Sequence, residues 1–314
     1  MTRRDWIASL AAVAPLAGSA WAKTGASASG KVGLSRLSAI SDEIATAPEG
    51  ALEFARMYHL QWLELRNVPG RSIEYARLEE PELKQAAKEF KDNGIRISFL
   101  NTGMLKFGLP GSDVKVNGPE TAEQAKRNAR EQTRFDERMK YLDQSIRAAH
   151  ILDLTNVRVF AFSRTTEPEK HYPRIAEIIG EMANVAAREG IKLLIENETS
   201  CNAATCEEAA SLLKMIPSKD VGLNWDVLNG VDMGEPAFPH GYSLLPKHRI
   251  WNVQAKGKSL LEADKLQDWQ GIIRALAKDD YTGCIGLENH MFGRMHITQA
   301  HYEIREMIRV AATA

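Results

Sequence analysis

The sequence predicts a single-domain α/β protein folded as a (β/α)8 TIM barrel, and three observations carry that prediction. Eight short apolar or β-branched runs recur at 37–40, 62–65, 95–100, 157–162, 191–195, 221–225, 250–255 and 283–287. Helical patterns lie between them, among others at 48–59, 81–93, 120–152 and 173–189. Asn93-Gly94 and Glu189-Gly190 stand where helix C-caps belong, each directly before a run, as in a parallel sheet. An open doubly wound sheet also alternates strand and helix, but it wants a glycine-rich nucleotide turn after its first strand. None is present, and no GxGxxG, GxxxxGK or GxSxG motif occurs, so dinucleotide, P-loop and serine-hydrolase chemistry lack their usual carriers.

Before the first run, Thr2-Arg3-Arg4-Asp5-Trp6-Ile7 leads into an apolar stretch that ends in Ala20-Trp21-Ala22. This is the pattern of a twin-arginine signal peptide over residues 1–22. Its apolar run is shorter than the ~18 residues of a spanning helix. Cleavage after Ala22 leaves a Gly/Ser/Ala-rich tether over 23–31, expected to be disordered, and a barrel over 32–314. The expected location is the periplasm or another exported compartment, with no membrane attachment once the leader is removed. A protein exported already folded can acquire its cofactor beforehand.

The chain has 314 residues, 44% of them hydrophobic, enough for one barrel with a sizeable core. Lys plus Arg is 40 against 41 Asp plus Glu, which supplies no broad field for nucleic acid, and none is expected as a partner. Cys201, Cys206 and Cys284 are odd in number and lack CxxC spacing, so they read as ordinary buried thiols. The loop over 103–119, rich in Gly, Pro and Asp, is long for a connection and reads as either a lid or a passive insertion.

The chemistry sits at the strand ends. In a barrel, a polar residue at the C-terminal end of a strand faces the catalytic mouth, while the apolar residues before it are expected to fill the interior. Strand five reads Lys192-Leu-Leu-Ile-Glu196-Asn-Glu198 and strand six Gly222-Leu-Asn-Trp-Asp226. Strand seven reads Trp251-Asn-Val-Gln254-Ala-Lys256 and strand eight Cys284-Ile-Gly-Leu-Glu288-Asn-His290. Three acids converging at one mouth need a cation or a proton, because an unpaired buried carboxylate costs several kcal/mol. Three carboxylates and an amide oxygen form an all-oxygen donor set. Mn²⁺ is the expected ion, with Mg²⁺ or Co²⁺ as alternatives.

At these residues the sequence resembles the xylose-isomerase-like superfamily of sugar isomerases and epimerases, over essentially the whole chain beyond the leader. The superfamily commonly holds its metal with Glu, Asp, His and Glu from strands five to eight. The resemblance therefore assigns metal ligation to Glu196, Asp226, Gln254 and Glu288. Gln254 departs from the pattern, standing in Gln-Ala-Lys-Gly where a His usually precedes a Lys-Asp pair. The stretch Asp226-Val-Leu-Asn229 with Gly234-Glu235-Pro236 also resembles the family's strand-six loop. The resemblance implies proton abstraction next to a carbonyl through an enediolate, with Glu196 and Glu288 as the acid/base pair. The implied substrate is a small sugar or keto-sugar, and a homo-oligomer is expected by analogy.

Secondary candidates for substrate binding follow from strand spacing. Glu64 and Arg66 share a strand face and either bind substrate hydroxyls or pair with each other. Glu198 and His290 share faces with Glu196 and Glu288, and one of the two is expected to touch substrate. Lys256 either orients a substrate oxygen or neutralises the acids. His240 lies in a loop after strand six that would border the mouth, where a lone His is commonly a surface residue. Trp225 and Trp251 read as barrel packing. Three other functions compete. A lyase or dehydratase of the same fold, acting on keto-sugars or keto-glycosides, shares the proton step. An apurinic-site endonuclease would need many strand-end histidines, positions that the eight histidines here mostly miss. A non-catalytic sugar-binding protein would have no use for the paired glutamates.

Overall fold

The computed structural model describes residues 32–113, 122–261, 267–290, 293 and 295–314. The expected leader and tether lie outside these residues. Eight strands form one parallel sheet: β1 Leu37–Ala39, β2 Trp62–Leu65, β3 Arg96–Leu100, β4 Asn156–Val159, β5 Lys192–Glu196, β6 Val221–Asp226, β7 Ile250–Lys256 and β8 Cys284–Glu288. Their hydrogen-bonded order is β1-β8-β7-β6-β5-β4-β3-β2, and a parallel bridge from Ile40 to Glu64 joins the two ends. The sheet therefore closes into the expected (β/α)8 barrel. Among the described residues no helix is long and apolar enough to cross a membrane.

Local sequence explains the punctuation. Gly94 and Gly190 take φ of 69° and 73°, the left-handed region that ends a helix at little cost to glycine. Thr205 opens the helix Cys206–Met215 with a reciprocal capping box to Glu208. Two expected boundaries are corrected. The pattern over 120–152 is broken at Glu137 into Ala122–Asp136 and Arg138–Ile151, and Arg138 donates a hydrogen bond to the freed carbonyl of Phe135 at 3.0 Å. The run at 157–162 pairs only as far as Val159. Beyond it the Phe160 N–H turns away to the Met104 carbonyl at 2.9 Å, and Phe162 takes a φ of 56°.

The larger correction concerns the barrel interior. Side chains alternate across each strand. Leu37, Ala39, Leu63, Leu65, Val157, Val159, Leu193, Ile195, Leu223, Trp225, Val253, Ala255, Ile285 and Leu287 all join the hydrophobic core that packs against the helices. The alternate positions facing inward hold much polar chemistry. Ser38 and Asn252 donate to Glu64 at 3.0 and 3.2 Å, and Asn252 also donates to Asn224 at 2.9 Å. Asn224 and Arg158 then donate to Glu196 at 2.6 and 2.9 Å. A hydrogen-bonded chain thus runs through β1, β2, β7, β6, β5 and β4 in place of apolar layers. Trp225 is fully buried as expected, whereas Trp251 is half-buried and lies against Gly222, whose Cβ would meet its ring at 2.3 Å. The three cysteines are free and buried.

One acid outside the mouth titrates with folding. Glu303, on the C-terminal helix His296–Thr313, is buried against Gly257, and burial outweighs the pull of the Gln299 side chain and pushes it up to about 7. Because its folded pKa is raised, its stabilisation is full below the ordinary carboxylate value and is lost as pH rises through 7. Thermal melts of wild-type protein should fall between pH 5 and 8. Glu303→Gln should flatten that decline and melt higher than wild type at pH 8. Parallel pH curves for the two proteins would contradict the assignment.

Candidate metal centre and its carboxylates

Glu196, Asp226 and Glu288 each close a strand, so the barrel aims all three side chains at one mouth. One carboxylate oxygen from each lies within 4.8 Å of the other two, and their exposures are only 2%, 0% and 4%. Lys256, the last residue of β7, places its ammonium among them. Its Nζ lies 2.8 Å from Asp226 Oδ2 and 3.7 Å from Glu288 Oε2, and it donates to Asn229 Oδ1 at 2.8 Å. Asn229 is itself held in place: its N–H donates to Asp226 Oδ1 at 2.9 Å and its amide to the Asn197 carbonyl at 2.8 Å. Arg158 and Asn224 both donate to the same oxygen of Glu196, which fixes that carboxylate's orientation.

A second acidic group adjoins the first through Glu288. Arg66, just past β2, reaches Glu43 at 2.8 Å, Asp42 at 3.0 Å and Glu288 at 3.7 Å. The His290 N–H donates to Glu43 at 2.8 Å, and the His290 ring lies 3.6 Å from Glu288. Across the two groups, five carboxylates face three permanent cations, Arg66, Arg158 and Lys256, and the His290 ring, whose pKa Glu288 raises. The titrations follow that imbalance. Burial opposes ionisation of Glu288, but Lys256, His290, Arg158 and Arg66 outweigh it and hold the carboxyl well below the usual range. At Asp226, burial wins over Lys256 and pushes the carboxyl up to about 7. Burial likewise raises Glu43 against the pull of Arg66.

These residues fit a divalent metal. The donors are hard oxygens that converge from separate strands, and their uncompensated charge is negative. In addition, Gln254 is 0% exposed and its Oε1 has no hydrogen-bond partner among the described residues. The ladder sets Gln254 directly beside Asp226. Three of the four expected ligands thus come together by distance, and the fourth is adjacent by register.

The secondary candidates divide. Glu64 and Arg66 do not pair with each other. Glu64 is fully buried inside the barrel, where Ser38, Asn101, Asn252 and Gln254 all donate to it, and burial raises it to about 7. Glu198 is tied by Lys106 at 2.7 Å and by the Ser200 N–H at 3.2 Å. Burial would raise it, but the Lys106 charge prevails and holds it at about 2. Lys256 lies among the acids, a position compatible with either of its expected roles. His290 borders the cluster, while His240 is exposed and joins neither acidic group. In the long loop read as a lid or an insertion, Lys106 bonds Glu198, and Asp113 accepts from Thr166 and pairs with His171; residues 114–119 lie outside the described residues. Sequence reasoning missed Arg158, Glu43 and Asn224. A lone arginine within Val157-Arg-Val159 was the available signal for the first, and the acids just after β1 for the second.

A family model described as xylose isomerase-like TIM barrel matches residues 52–312. This chain belongs to that family. Among proteins with curated descriptions, none is similar to it in sequence. Solved structures share its fold at low identity. A probable 3-DHS dehydratase, AsbF, involved in petrobactin synthesis in Bacillus anthracis, has a TM-score of 0.63 at 14% identity, covering 87% of this chain and 98% of that one. D-psicose 3-epimerase in the presence of D-fructose has a TM-score of 0.60 at 16% identity, covering 88% and 97%. A xylose isomerase-like protein from Mycobacterium smegmatis in complex with magnesium has a TM-score of 0.60 at 15% identity, covering 88% and 97%.

Removing one partner of a buried ion pair strands the other, at a cost of about 3–5 kcal/mol. Arg158→Met should therefore destabilise the metal-free protein by about that amount at pH 7, read by denaturant unfolding. Unchanged stability would contradict the role of Arg158 as counterion to Glu196.

Proposed function

We propose that this protein is a divalent-metal-dependent sugar isomerase or epimerase that moves a proton on a carbon next to a carbonyl. The observation that carries the reading is the convergence of Glu196, Asp226 and Glu288 within 4.8 Å in a buried mouth whose cations do not balance its acids. Glu196, Asp226, Gln254 and Glu288 would hold the metal, with Mn²⁺ the ion proposed and Mg²⁺ or Co²⁺ as alternatives. A metal held there supplies the positive charge that an enediolate needs.

The chain's own groups then divide the work. One of Glu196 and Glu288 takes the proton from the carbon next to the carbonyl, and the other returns a proton from the opposite face, which inverts that centre. Arg158 and Asn224 hold Glu196 in one orientation, so its carboxylate need not reorganise during transfer. Lys256 lies close enough to Asp226 and Glu288 to balance charge as protons move. Burial of the cluster excludes water that would compete for the carbanion. Glu64, Arg66, Glu198, His240 and His290 remain candidates for contacts to substrate hydroxyls. The same first step serves a lyase or dehydratase, which would expel a β-oxygen instead of returning the proton.

The test is incubation with Mn²⁺ in D₂O against ketoses and 3-keto-glycosides, followed by NMR. The account expects metal-dependent deuterium at the α-carbon together with a stereoisomer. A released fragment would select the lyase, and no exchange with any substrate of the panel would contradict both. Glu196→Gln and Glu288→Gln should each lower exchange by about 10²-fold or more while circular dichroism still shows a folded barrel at the assay temperature. Full activity in both would remove the acid/base assignment.

We further propose that residues 1–22 are a twin-arginine leader followed by a tether over 23–31, and that the protein works in the periplasm or another exported compartment. The support is the Arg3-Arg4 pair ahead of an apolar stretch ending Ala20-Trp21-Ala22. N-terminal sequencing of exported protein should begin at Lys23, and replacing both arginines with lysine should abolish export. Export unaffected by that change would contradict the route.

A further inference from the structure

Gln254 stands at the one position where the metal-binding pattern read above departs from its usual residue, and the substitution creates a physical problem. A histidine offers a lone-pair nitrogen to a metal. A glutamine offers two unlike ends, an acceptor oxygen and a donor NH₂, and only the oxygen can ligate. An amide free to flip would turn its donor to the cation part of the time.

The interior supplies what prevents this. Gln254 Nε2 donates to Glu64 Oε2 at 2.7 Å, and with Ser38, Asn252 and Asn101 also donating to its two oxygens the surroundings suit Glu64 as an ionised carboxylate, which accepts and does not donate. The amide oxygen must then point away from Glu64. It is buried, it lacks a donor among the described residues, and its residue sits beside Asp226 in the ladder. Glu64 is fixed in turn. Ser38 and Asn252 hold its Oε1, and Asn101 donates to its Oε2 at 2.9 Å. Space for it exists because residue 286 is glycine: a Cβ there would lie 1.9 Å from Glu64 Oε1. Three donors, from β1, from β7 and from the residue just past β3, thus aim one buried carboxylate at one amide.

We infer that Glu64 is a positioning residue that locks the Gln254 side chain with its oxygen presented for metal ligation, making glutamine a workable ligand at this position. The inference rests on the metal reading proposed above. Glu64 acts through Gln254 and need not touch substrate or metal. Partners of this kind behind a ligand typically set metal affinity by a factor of about 10 to 100.

The experiment is calorimetric titration of the full chain with MnCl₂, with circular dichroism melts of each metal-free protein. Glu64→Gln, which loses the obligate acceptor, should weaken Mn²⁺ binding by about 10–100-fold. Gln254→Ala should weaken it comparably, and the double variant should bind no more weakly than Gln254→Ala alone, because both changes remove the same ligand. A merely structural role would move the melts and leave the single-variant effects additive. Gly286→Ala, which displaces Glu64 sterically while keeping both side chains, should also weaken Mn²⁺ binding and decides the matter if Glu64→Gln does not fold. Wild-type affinity retained in a folded Glu64→Gln or Gly286→Ala protein, or additive losses in the double variant, would overturn the inference alone. No Mn²⁺ binding by the wild type would overturn the metal reading and the inference with it.

Discussion

An excess of buried negative charge at one end of the barrel is the constraint on which the rest of the site depends. Among the described residues Asp42, Glu43, Glu196, Asp226 and Glu288 face three permanent cations, Arg66, Arg158 and Lys256, and the His290 ring. In a medium that solvates ions poorly, such a set must take up protons or cations until its charge is tolerable. The raised titration of Asp226 and Glu43 is the protein's own response. A divalent ion would replace those protons and release them, which makes metal affinity rise with pH. The same surplus that makes the cluster unfavourable in isolation is what suits it to bind a hard cation.

The barrel below accommodates this by carrying polar groups where a simple packed barrel would carry branched aliphatics. The chain from Ser38 through Glu64, Asn252, Asn224 and Glu196 to Arg158 uses strand-facing amides as spacers between two buried carboxylates. Each member has a partner, which is the condition under which buried polar networks are tolerable. The hydrophobic contribution to stability comes instead from the outward-facing strand residues against the helices. Stability and site chemistry are thereby placed on opposite faces of the same strands, and the period-two alternation of the β-strand keeps them apart.

Much of this was legible in the sequence, for identifiable reasons. Strand positions followed from short apolar runs, and Gly94 and Gly190 marked helix ends because their backbone needs φ above zero. Glu196, Asp226 and Glu288 stood out because an acid directly after an apolar run has few structural uses. What escaped depends on contacts between strands far apart in sequence. Arg158 looked like one charge in a strand until β4 and β5 were paired and Glu196 came within 2.9 Å. The break at Glu137 and the early end of β4 are decided by loop hydrogen bonds to Phe135 and Met104 that no periodicity encodes. The inward polar network escaped because serine, asparagine and glutamine inside apolar runs read as interruptions rather than as one connected row.

On the function proposed above, the cluster holds a divalent ion, with Lys256 in reserve as its balancing charge. The most direct test is a crystal structure of the protein grown with Mn²⁺, with anomalous scattering recorded at the manganese edge. The account predicts one strong anomalous peak coordinated by Glu196, Asp226, Gln254 and Glu288, with the Lys256 ammonium moved off Asp226. A structure with no anomalous signal there, and with Lys256 still bonded to Asp226, would contradict it.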